Sequence, residues 1–424
     1  MILINIMKHL SMDKIKEYIT SIYDDLKNNN DGKVADYIPE LSNVNPNNFG
    51  ISVCTVKGEI FNIGDYDTRF CLQSCSKPLS YIIAYNLLGK NKIHDHVGYE
   101  PSGQSFNAFI LNNKGLPHNP MINAGAIMVS SQISKNEEPS KRFNIIKSYY
   151  SKMAGNKIIG FDNSVFLSEK HHADRNMSLA YYMKENNAFG NINPNELIES
   201  LDLYYQQCSA TITCEIGSII ASTLSNGGIC PTTNEQVASK NSIIDSLILM
   251  YNCGMYDYSG QFSFEIGLPA KSGVSGCILL VIPNMMGICI WSPPLNEQGN
   301  SIRGIEFCKK LNEKMNLHMF HNIINNKIDF NDSLTNNFIK MCSNGNINEI
   351  LTILDKVDIN SSDYDKRTPL HLASSEGHYE VVKLLLDKGA IINKDRWNNT
   401  PLDDIKNKEG DNYEKINKLL LEYI

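Results

Sequence analysis

The sequence predicts an α+β domain, with an antiparallel sheet and a block of helices, followed by an all-α repeat tail. Residues 51–56 and 59–63 are β-rich runs on either side of Lys57-Gly58, which indicates a hairpin. Two apolar runs within residues 277–291 are separated by Pro283-Asn284, which indicates a second hairpin. Helical patterns fill most of the chain between the hairpins, and Thr-Pro-Leu recurs near the C-terminus.

Length, charge and cysteine usage narrow the class of protein. A chain of 424 residues can form a large core and two or more domains. A net charge of −7, without a dense Lys/Arg stripe, argues against a nucleic-acid partner. No apolar run reaches the length of about eighteen residues that a membrane span needs. The eleven cysteines form no Cys-x-x-Cys pair, which favours reduced, buried thiols in an intracellular protein.

Two further features concern metal binding and location. His94-Asp-His96 and His171-His172 are weak indications of a metal site, and surface loops explain them better. Residues 1–10 lack a secretory cleavage pattern and the arginine content of a transit peptide. We therefore expect no metal and an intracellular location, with the cytoplasm favoured and the mitochondrion left open.

The stretch around Ser74 is the first candidate for chemistry. An apolar run over residues 79–88 predicts a buried helix, and Pro78 suits its first turn. Ser74 then lies at or just before the helix start, where the helix dipole stabilises an alkoxide. Lys77 follows three residues later on the same face, and a desolvated lysine can accept the serine proton.

Spacing alone does not establish a nucleophile. Ser-x-x-Lys is a loose pattern, and Ser11-Met-Asp-Lys14 repeats it. A serine at this position can also be a simple N-cap. The motif Lys271-Ser272-Gly273 strengthens the nucleophile hypothesis, because serine hydrolases with a Ser-x-x-Lys helix also carry Lys-(Ser/Thr)-Gly on an inner strand. A glycine-containing strand allows close backbone approach, so its amide can complement the Ser74 amide as an oxyanion donor.

Other polar residues stand out between these two motifs. Asn123 is the single amide within a run of small residues predicted to form a helix, where it could equally be a helix cap. Residues 169–176 read as a polar loop before a helix over residues 177–184, and Tyr204 lies within a later helical pattern.

After about residue 320 the sequence changes character. Residues 368–378 (TPLHLASSEGH) carry the ankyrin signature, and residues 381–386 form the second helix of that repeat. Thr400-Pro-Leu-Asp403 repeats the signature one period later, and residues 336–345 are a degenerate copy one period earlier. About three repeats are therefore predicted, which would supply a binding surface for a protein partner without chemistry.

Several motifs in order resemble the serine-dependent glutaminases. The matching segments are residues 70–79 (FCLQSCSKPL), 117–126 (PHNPMINAGA), 253–256 (CGMY) and 268–274 (LPAKSGV). Residues 394–401 (KDRWNNTP) are similar to the ankyrin tail of the kidney- and liver-type enzymes. The resemblance implies hydrolysis of L-glutamine to L-glutamate and ammonia on a β-lactamase/transpeptidase-like fold, without metal or organic cofactor.

The resemblance also implies roles for individual residues. Ser74 would be the nucleophile and Lys77 its base, and Tyr256 would pass a proton to the leaving ammonia. The amides of Ser74 and Val274 would form the oxyanion hole, and Tyr37 would line the pocket beside the nucleophile. The α-ammonium of glutamine needs an anion, and Glu169 is the matching residue. Asn123, Asn176 and Tyr204 would offer neutral donors for the carboxylate and the side-chain amide.

Domain limits and assembly follow from the same comparison. We expect an N-terminal helical segment over residues 1–30, a catalytic domain over 31–320 and ankyrin repeats over 331–424. The family forms homo-oligomers, so a dimer or tetramer is expected. Residues 105–112 differ from the animal enzymes where the family has its oligomer interface, which leaves oligomer size and phosphate activation open.

Two alternatives remain at this point. A β-lactam- or peptide-directed hydrolase would share Ser-x-x-Lys and Lys-Ser-Gly with a glutaminase. A catalytically inactive ankyrin scaffold would retain the fold without the chemistry, although the intact Ser74, Lys77 and Tyr256 argue against it.

Overall fold

The computed structural model describes residues 12–105, 107–320 and 330–423. Two compact units divide the chain, residues 1–321 and residues 322–424. Residues 1–10, considered above as a targeting segment, and Ser11 of the second Ser-x-x-Lys copy lie outside the described residues.

A five-stranded antiparallel sheet forms the centre of the first unit. Its strands are β1 (Gly50–Thr55), β2 (Ile60–Gly64), β6 (Ala270–Gly273), β7 (Cys277–Ile282) and β8 (Met286–Trp291), in the order β2-β1-β8-β7-β6. The pairings β1–β2 and β7–β8 confirm both predicted hairpins. Strand β1 pairs with β8, with Val53 opposite Ile288, so the N-terminal hairpin joins the C-terminal one in a single sheet.

Strand β7 shows why the apolar runs are continuous. Successive side chains of a strand point to opposite faces of the sheet. Ile278 and Leu280 belong to one hydrophobic core, whereas Leu279 and Val281 belong to another. Both faces of the sheet are therefore buried, so the strand sequence is continuously apolar and does not alternate between apolar and polar residues.

Helices cover the two faces of this sheet. In chain order they are α1 (Met12–Leu26), α2 (Ser76–Leu88), α3 (Lys90–His94), α4 (Asn123–Gln132), α5 (Pro139–Met153), α6 (Asn163–His171), α7 (Asp174–Glu185), α8 (Pro194–Cys208), α9 (Cys214–Ser225), α10 (Lys240–Cys253), α11 (Ser259–Glu265) and α12 (Ile302–Met315). Helices α1, α11 and α12 share one core with the sheet, and α1 packs directly on α12. Helix α9 crosses β8 and β1 on the other face, in front of the block that contains α2, α4 and α8.

A second, smaller sheet lies at the edge of the helical block. Strand β3 (Phe70–Cys71) pairs with β5 (Ala210–Ile212), which pairs in turn with β4 (Gly160–Phe161). Phe70 stacks on Trp291 of β8 with ring centroids 4.9 Å apart. The small sheet therefore anchors the start of the Ser74 segment to the main sheet.

The predicted polar loop over residues 169–176 is wrong. Glu169 lies in α6 and Asn176 in α7, with only a short break between the helices. Asp162 caps α6 by accepting hydrogen bonds from the backbone amides of Ser164 and Val165, which satisfies donors at the helix start. Polar residues fit these helices because one face of each borders a cavity.

The second unit consists of short helices in pairs. They are α13 (Phe330–Ser343), α14 (Ile347–Ile353), α15 (Pro369–Ser375), α16 (Tyr379–Asp387) and α17 (Asp411–Leu421). Thr368 and His371 form a capping box at α15, with Pro369 in the first turn. The equivalent Thr400-Pro-Leu segment leads instead into a 3₁₀ turn, Asp403–Ile405, and Asp403 accepts a 2.7 Å hydrogen bond from the Thr400 hydroxyl.

The structure can be compared with three expectations from the sequence, which concern the cysteines, metal ligands and membrane spans. All eleven cysteines are free and buried, as predicted. Within the described ranges, no cluster of three or more His, Cys, Asp or Glu side chains is arranged to hold a metal ion. Across the same ranges, every helix is too short or too polar to span a membrane.

Candidate active site

Ser74 lies on a sharp turn between a strand and a helix. The 3₁₀ turn Gln73–Cys75 follows β3 and runs directly into α2, so Ser74 lies just before the helix, as predicted. Gln73 adopts φ 48°, in the left-handed region that non-glycine residues rarely occupy. The Ser76 hydroxyl donates a 2.8 Å hydrogen bond to the Gln73 carbonyl and fixes the turn. Backbone strain of this kind is concentrated at functional sites.

Lys77 is the immediate partner of Ser74. Its Nζ donates hydrogen bonds to Ser74 Oγ at 3.0 Å and to Asn123 Oδ1 at 2.7 Å. The side chain is buried, and burial lowers the pKa of Lys77 to about 8, while the nearby Glu169 opposes the shift. The lowered pKa increases the fraction of neutral lysine near neutral pH, and the neutral amine is the state that can accept a proton.

A hydrogen-bonded network extends from Asn123. Its Oδ1 accepts a 3.2 Å hydrogen bond from Tyr204, and its Nδ2 donates one of 3.0 Å to Asn176 Oδ1. Helices α4, α7 and α8 thus contribute one residue each to the same polar cluster. The predicted site residues Asn123, Asn176 and Tyr204 are brought together.

Glu169 contacts the turn that carries Ser74. It is buried, and Gln73 Nε2 lies 3.4 Å from its Oε2. Burial raises the pKa of Glu169 to about 7, whereas hydrogen bonds from Gln73 and Cys208 and the charge of Lys77 oppose the rise. A cationic group placed beside this carboxylate would favour its ionised form.

A cavity of about 240 Å³ opens in front of Ser74. Its lining comprises Tyr37, Ile38, Gln73, Ser74, Asn107, Asn123, Glu169, His172, Ala173, Arg175, Asn176, Tyr204 and Val274. The predicted residues line the cavity except Lys77, which lies behind Ser74, and Tyr256. Tyr37 is 56% exposed, which places it at the rim rather than the floor.

Tyr256 approaches Ser74 from the β6 side. It begins a 3₁₀ turn, Tyr256–Tyr258, and adopts φ 54°, so a second residue of the site has left-handed backbone geometry. Burial raises the pKa of Tyr256, and a hydrogen bond with the Ser74 side chain opposes the rise. The phenol is therefore neutral and in contact with the Ser74 side chain.

Strand β6 packs tightly against the nucleophile turn. A Cβ added at Gly273 would lie 2.8 Å from the Leu72 carbonyl oxygen and 3.2 Å from Cys75 Sγ. The Cys75 thiol donates a 3.2 Å hydrogen bond to the Lys271 carbonyl, which ties the turn to the strand. This close approach explains the glycine of Lys-Ser-Gly and brings Val274 to the cavity wall.

Several residues of the site were not predicted, and four of them bear directly on its chemistry. Gln73 contacts Glu169, Cys208 lies against Glu169 and Tyr204, and Arg175 lines the cavity with its guanidinium 4.4 Å from the Phe109 ring. Lys271 is fully buried beside Tyr256, and burial together with the charge of Lys77 lowers the pKa of Lys271 to about 7. The Lys-Ser-Gly motif was the available signal for Lys271, but it was used only to identify the strand.

Comparisons with known proteins agree with this arrangement. The glutaminase family model matches residues 32–320, and an ankyrin model with three repeat copies matches residues 312–423. The mitochondrial liver-isoform glutaminase of Mus musculus is 45% identical over 420 residues, covering 96% of this chain and 69% of the relative.

Solved structures of glutaminases are also similar to this chain. The probable glutaminase ybaS has a TM-score of 0.69 at 32% identity and covers 73% of this chain and 99% of its own. Mglu in its Tris and glutamate form has a TM-score of 0.68 at 33% identity, covering 72% of this chain and 67% of its own. The chain belongs to the glutaminase family, and the predicted α+β fold with C-terminal ankyrin repeats is confirmed.

Proposed function

We propose that this chain hydrolyses L-glutamine to L-glutamate and ammonia through an acyl-enzyme on Ser74. The observation that carries the proposal is the 3.0 Å hydrogen bond between Lys77 Nζ and Ser74 Oγ, because Ser74 lines the cavity and Lys77 lies behind it. Family membership supplies the substrate class, since the matching relatives are named glutaminases.

Acylation requires one proton transfer and one new bond. The Ser74 hydroxyl proton moves to neutral Lys77 as Oγ bonds to the side-chain carbonyl carbon of glutamine. Negative charge develops on the carbonyl oxygen, and the amides of Ser74 and Val274 are the proposed donors to it. Gly273 supports this assignment, because it allows β6 to approach the nucleophile turn.

Loss of ammonia requires a proton on the leaving nitrogen. Tyr256 contacts Ser74, and its phenol stays neutral because burial raises its pKa. It donates its proton as the carbon–nitrogen bond breaks, and Lys77 can return a proton to the tyrosine. Water then attacks the acyl carbon and gives a proton to Lys77. The bond from that carbon to Ser74 Oγ breaks, Lys77 returns the proton to Oγ, and L-glutamate leaves.

Substrate recognition would use polar residues that line the cavity. Glu169 is the one predicted anion among its lining residues and would pair with the α-ammonium. Asn123, Asn176 and Tyr204 would hold the carboxylate and the side-chain amide, and Tyr37 would cover the rim.

Ammonia release from L-glutamine by wild type and by Ser74→Ala tests the proposal. Wild type should release ammonia, and Ser74→Ala should lose several orders of magnitude, because the nucleophile and its base act as a unit. Equal rates would exclude the assignment. Nitrocefin in a parallel assay addresses a β-lactam-directed hydrolase, and L-asparagine reports the preference for chain length.

We also propose an oligomeric state, a binding role for the ankyrin repeats and a cellular location for this chain. We propose that the first unit forms a homodimer or homotetramer and that residues 331–424 bind a protein partner through the ankyrin repeats. The mouse relative is named mitochondrial, and for this chain we propose the cytoplasm, with the mitochondrion as the alternative. Sedimentation of the full chain and fractionation of cells that express it would test these statements.

A further inference from the structure

Lys271 is a buried cation that the proposed reaction does not use. Its Nζ donates hydrogen bonds to the carbonyl oxygens of Gly254 at 3.0 Å and Ser272 at 2.6 Å. The same Nζ lies 4.5 Å from the centroid of the Tyr256 ring. The lysine therefore contacts both the backbone just before Tyr256 and the face of its ring.

The backbone at Tyr256 needs such support. A bulky residue with φ 54° is strained and persists only where its surroundings hold it. Ser259 Oγ accepts a 3.0 Å hydrogen bond from the Met255 amide and donates one of 2.7 Å to the Tyr256 carbonyl. These contacts fix the turn from one side, and Lys271 closes it from the β6 side.

A lysine is an unusual choice for this position. Taking an ammonium out of water is costly, and an apolar side chain of similar length often stabilises a protein as much as a buried ion does. Retaining the ion is consistent with a role in the reaction. The neutral amine still carries two N–H bonds for two carbonyl acceptors, so the tie to Gly254 and Ser272 is available in both protonation states.

We infer that Lys271 is a positioning residue that holds the Tyr256 phenol against Ser74, where it can protonate the leaving ammonia. The inference rests on the proposed function, because it assigns Lys271 a part in one step of that reaction. Lys271 itself makes no contact with the substrate in this scheme. It acts through the turn at Gly254 and through the ring of Tyr256.

Leaving-group chemistry separates this role from a general structural one. Ammonia must be protonated to leave, whereas 4-nitrophenolate departs without a proton. Lys271→Met should lower kcat/KM for glutamine by about 10²-fold, the scale of lost general-acid catalysis. Turnover of the γ-(4-nitrophenyl) ester of glutamate should change little. Tyr256→Phe should give the same pattern, and the double variant should be no worse than the poorer single variant.

Arg303 offers a matched control. It is also buried, donates to two carbonyls, those of Asn47 at 3.2 Å and Pro46 at 2.6 Å, and stacks over Phe49. Arg303→Met removes the same kinds of contact away from the site. It should lower thermal stability but leave the ratio of amide to ester turnover unchanged.

The possible results distinguish failure of the positioning role of Lys271 from failure of the proposed function. Equal losses on amide and ester, or additive effects of Lys271→Met and Tyr256→Phe, would overturn the positioning role. Lys271→Gln retains hydrogen-bond donors, so partial recovery of amide turnover supports the role if Lys271→Met folds poorly. Absence of ammonia release by wild type would instead refute the proposed function, and that result does not depend on any Lys271 variant.

Discussion

Lys77 Nζ lies 2.7 Å from Asn123 Oδ1, closer than the 3.0 Å that separates it from Ser74 Oγ. The amide oxygen orients the amine towards the serine without adding a negative charge. This matters because a carboxylate at the same position would stabilise the ammonium form and remove the base.

Asn123→Asp tests that relationship. A carboxylate next to Lys77 should raise the pKa of the lysine, so the neutral base would form only at higher pH. We expect kcat/KM near neutral pH to fall by about 10²-fold and its rising limb to shift to higher pH. A full pH profile of ammonia release measures both. An unshifted limb would show that Lys77 does not titrate in this step.

The pH dependence of wild type follows from two deprotonations. Glu169, with a pKa of about 7, must be ionised to hold the α-ammonium, and Lys77, with a pKa of about 8, must be neutral to accept a proton. Both requirements are met as pH rises, so kcat/KM should increase through this range. Glu169→Gln should raise KM strongly and shift the Lys77 transition to lower pH, because the Glu169 charge raises the pKa of Lys77. A profile that falls over the same range would contradict both assignments.

Gly273→Ala tests the contact between β6 and the nucleophile turn. The new methyl group would lie 2.8 Å from the Leu72 carbonyl oxygen, so strand and turn must separate. A displacement of this kind costs about 10²-fold in rate, because the reacting groups lose their alignment. Gly260→Ala is the control, since nothing lies within 4 Å of its added Cβ. Steady-state kinetics of the two variants should differ by that factor.

Arg142→Met tests a contribution to the free energy of unfolding and not to the reaction. Arg142 is buried and donates to the carbonyls of Ile133 at 2.9 Å and Ser130 at 2.7 Å, at the end of the helix that begins with Asn123. Its loss leaves these acceptors unpaired, at a cost of roughly 1–3 kcal/mol in the free energy of unfolding. Chemical denaturation of the full chain measures the change. Replacement of the exposed Lys141 provides the comparison, and equal effects would refute the capping role.

The sequence predicted features that depend on local pattern. The hairpins, the Ser74 helix and the ankyrin signature all follow from spacing and composition over a few residues. The identity of the cavity residues came from the family resemblance, because an isolated Asn123 or Glu169 carries no signal of what it faces. The helix that contains Asn123 was predicted, whereas the loop expected at residues 169–176 is mostly helical, with Glu169 in the capped helix α6 and Asn176 in α7.

Contacts between residues far apart in the sequence could not be predicted from local sequence patterns. Nothing near Lys271 indicates that its ammonium would lie under the Tyr256 ring, since that contact depends on how β6 meets the turn after α10. The left-handed geometry of Gln73 and Tyr256 was equally hidden. Neither is a glycine, so the usual signal for positive φ was absent.

The pairing of β1 with β8 has a consequence for biosynthesis. Strand β1 is made more than two hundred residues before its partner, and Ser74 emerges long before β6. Ser74 therefore cannot meet Tyr256 and Val274 in the folded site until β6 and its partner strands have been synthesised. Contacts of such sequence separation form late and slowly. A nascent or truncated chain that lacks β6–β8 is thus expected to release no ammonia from L-glutamine.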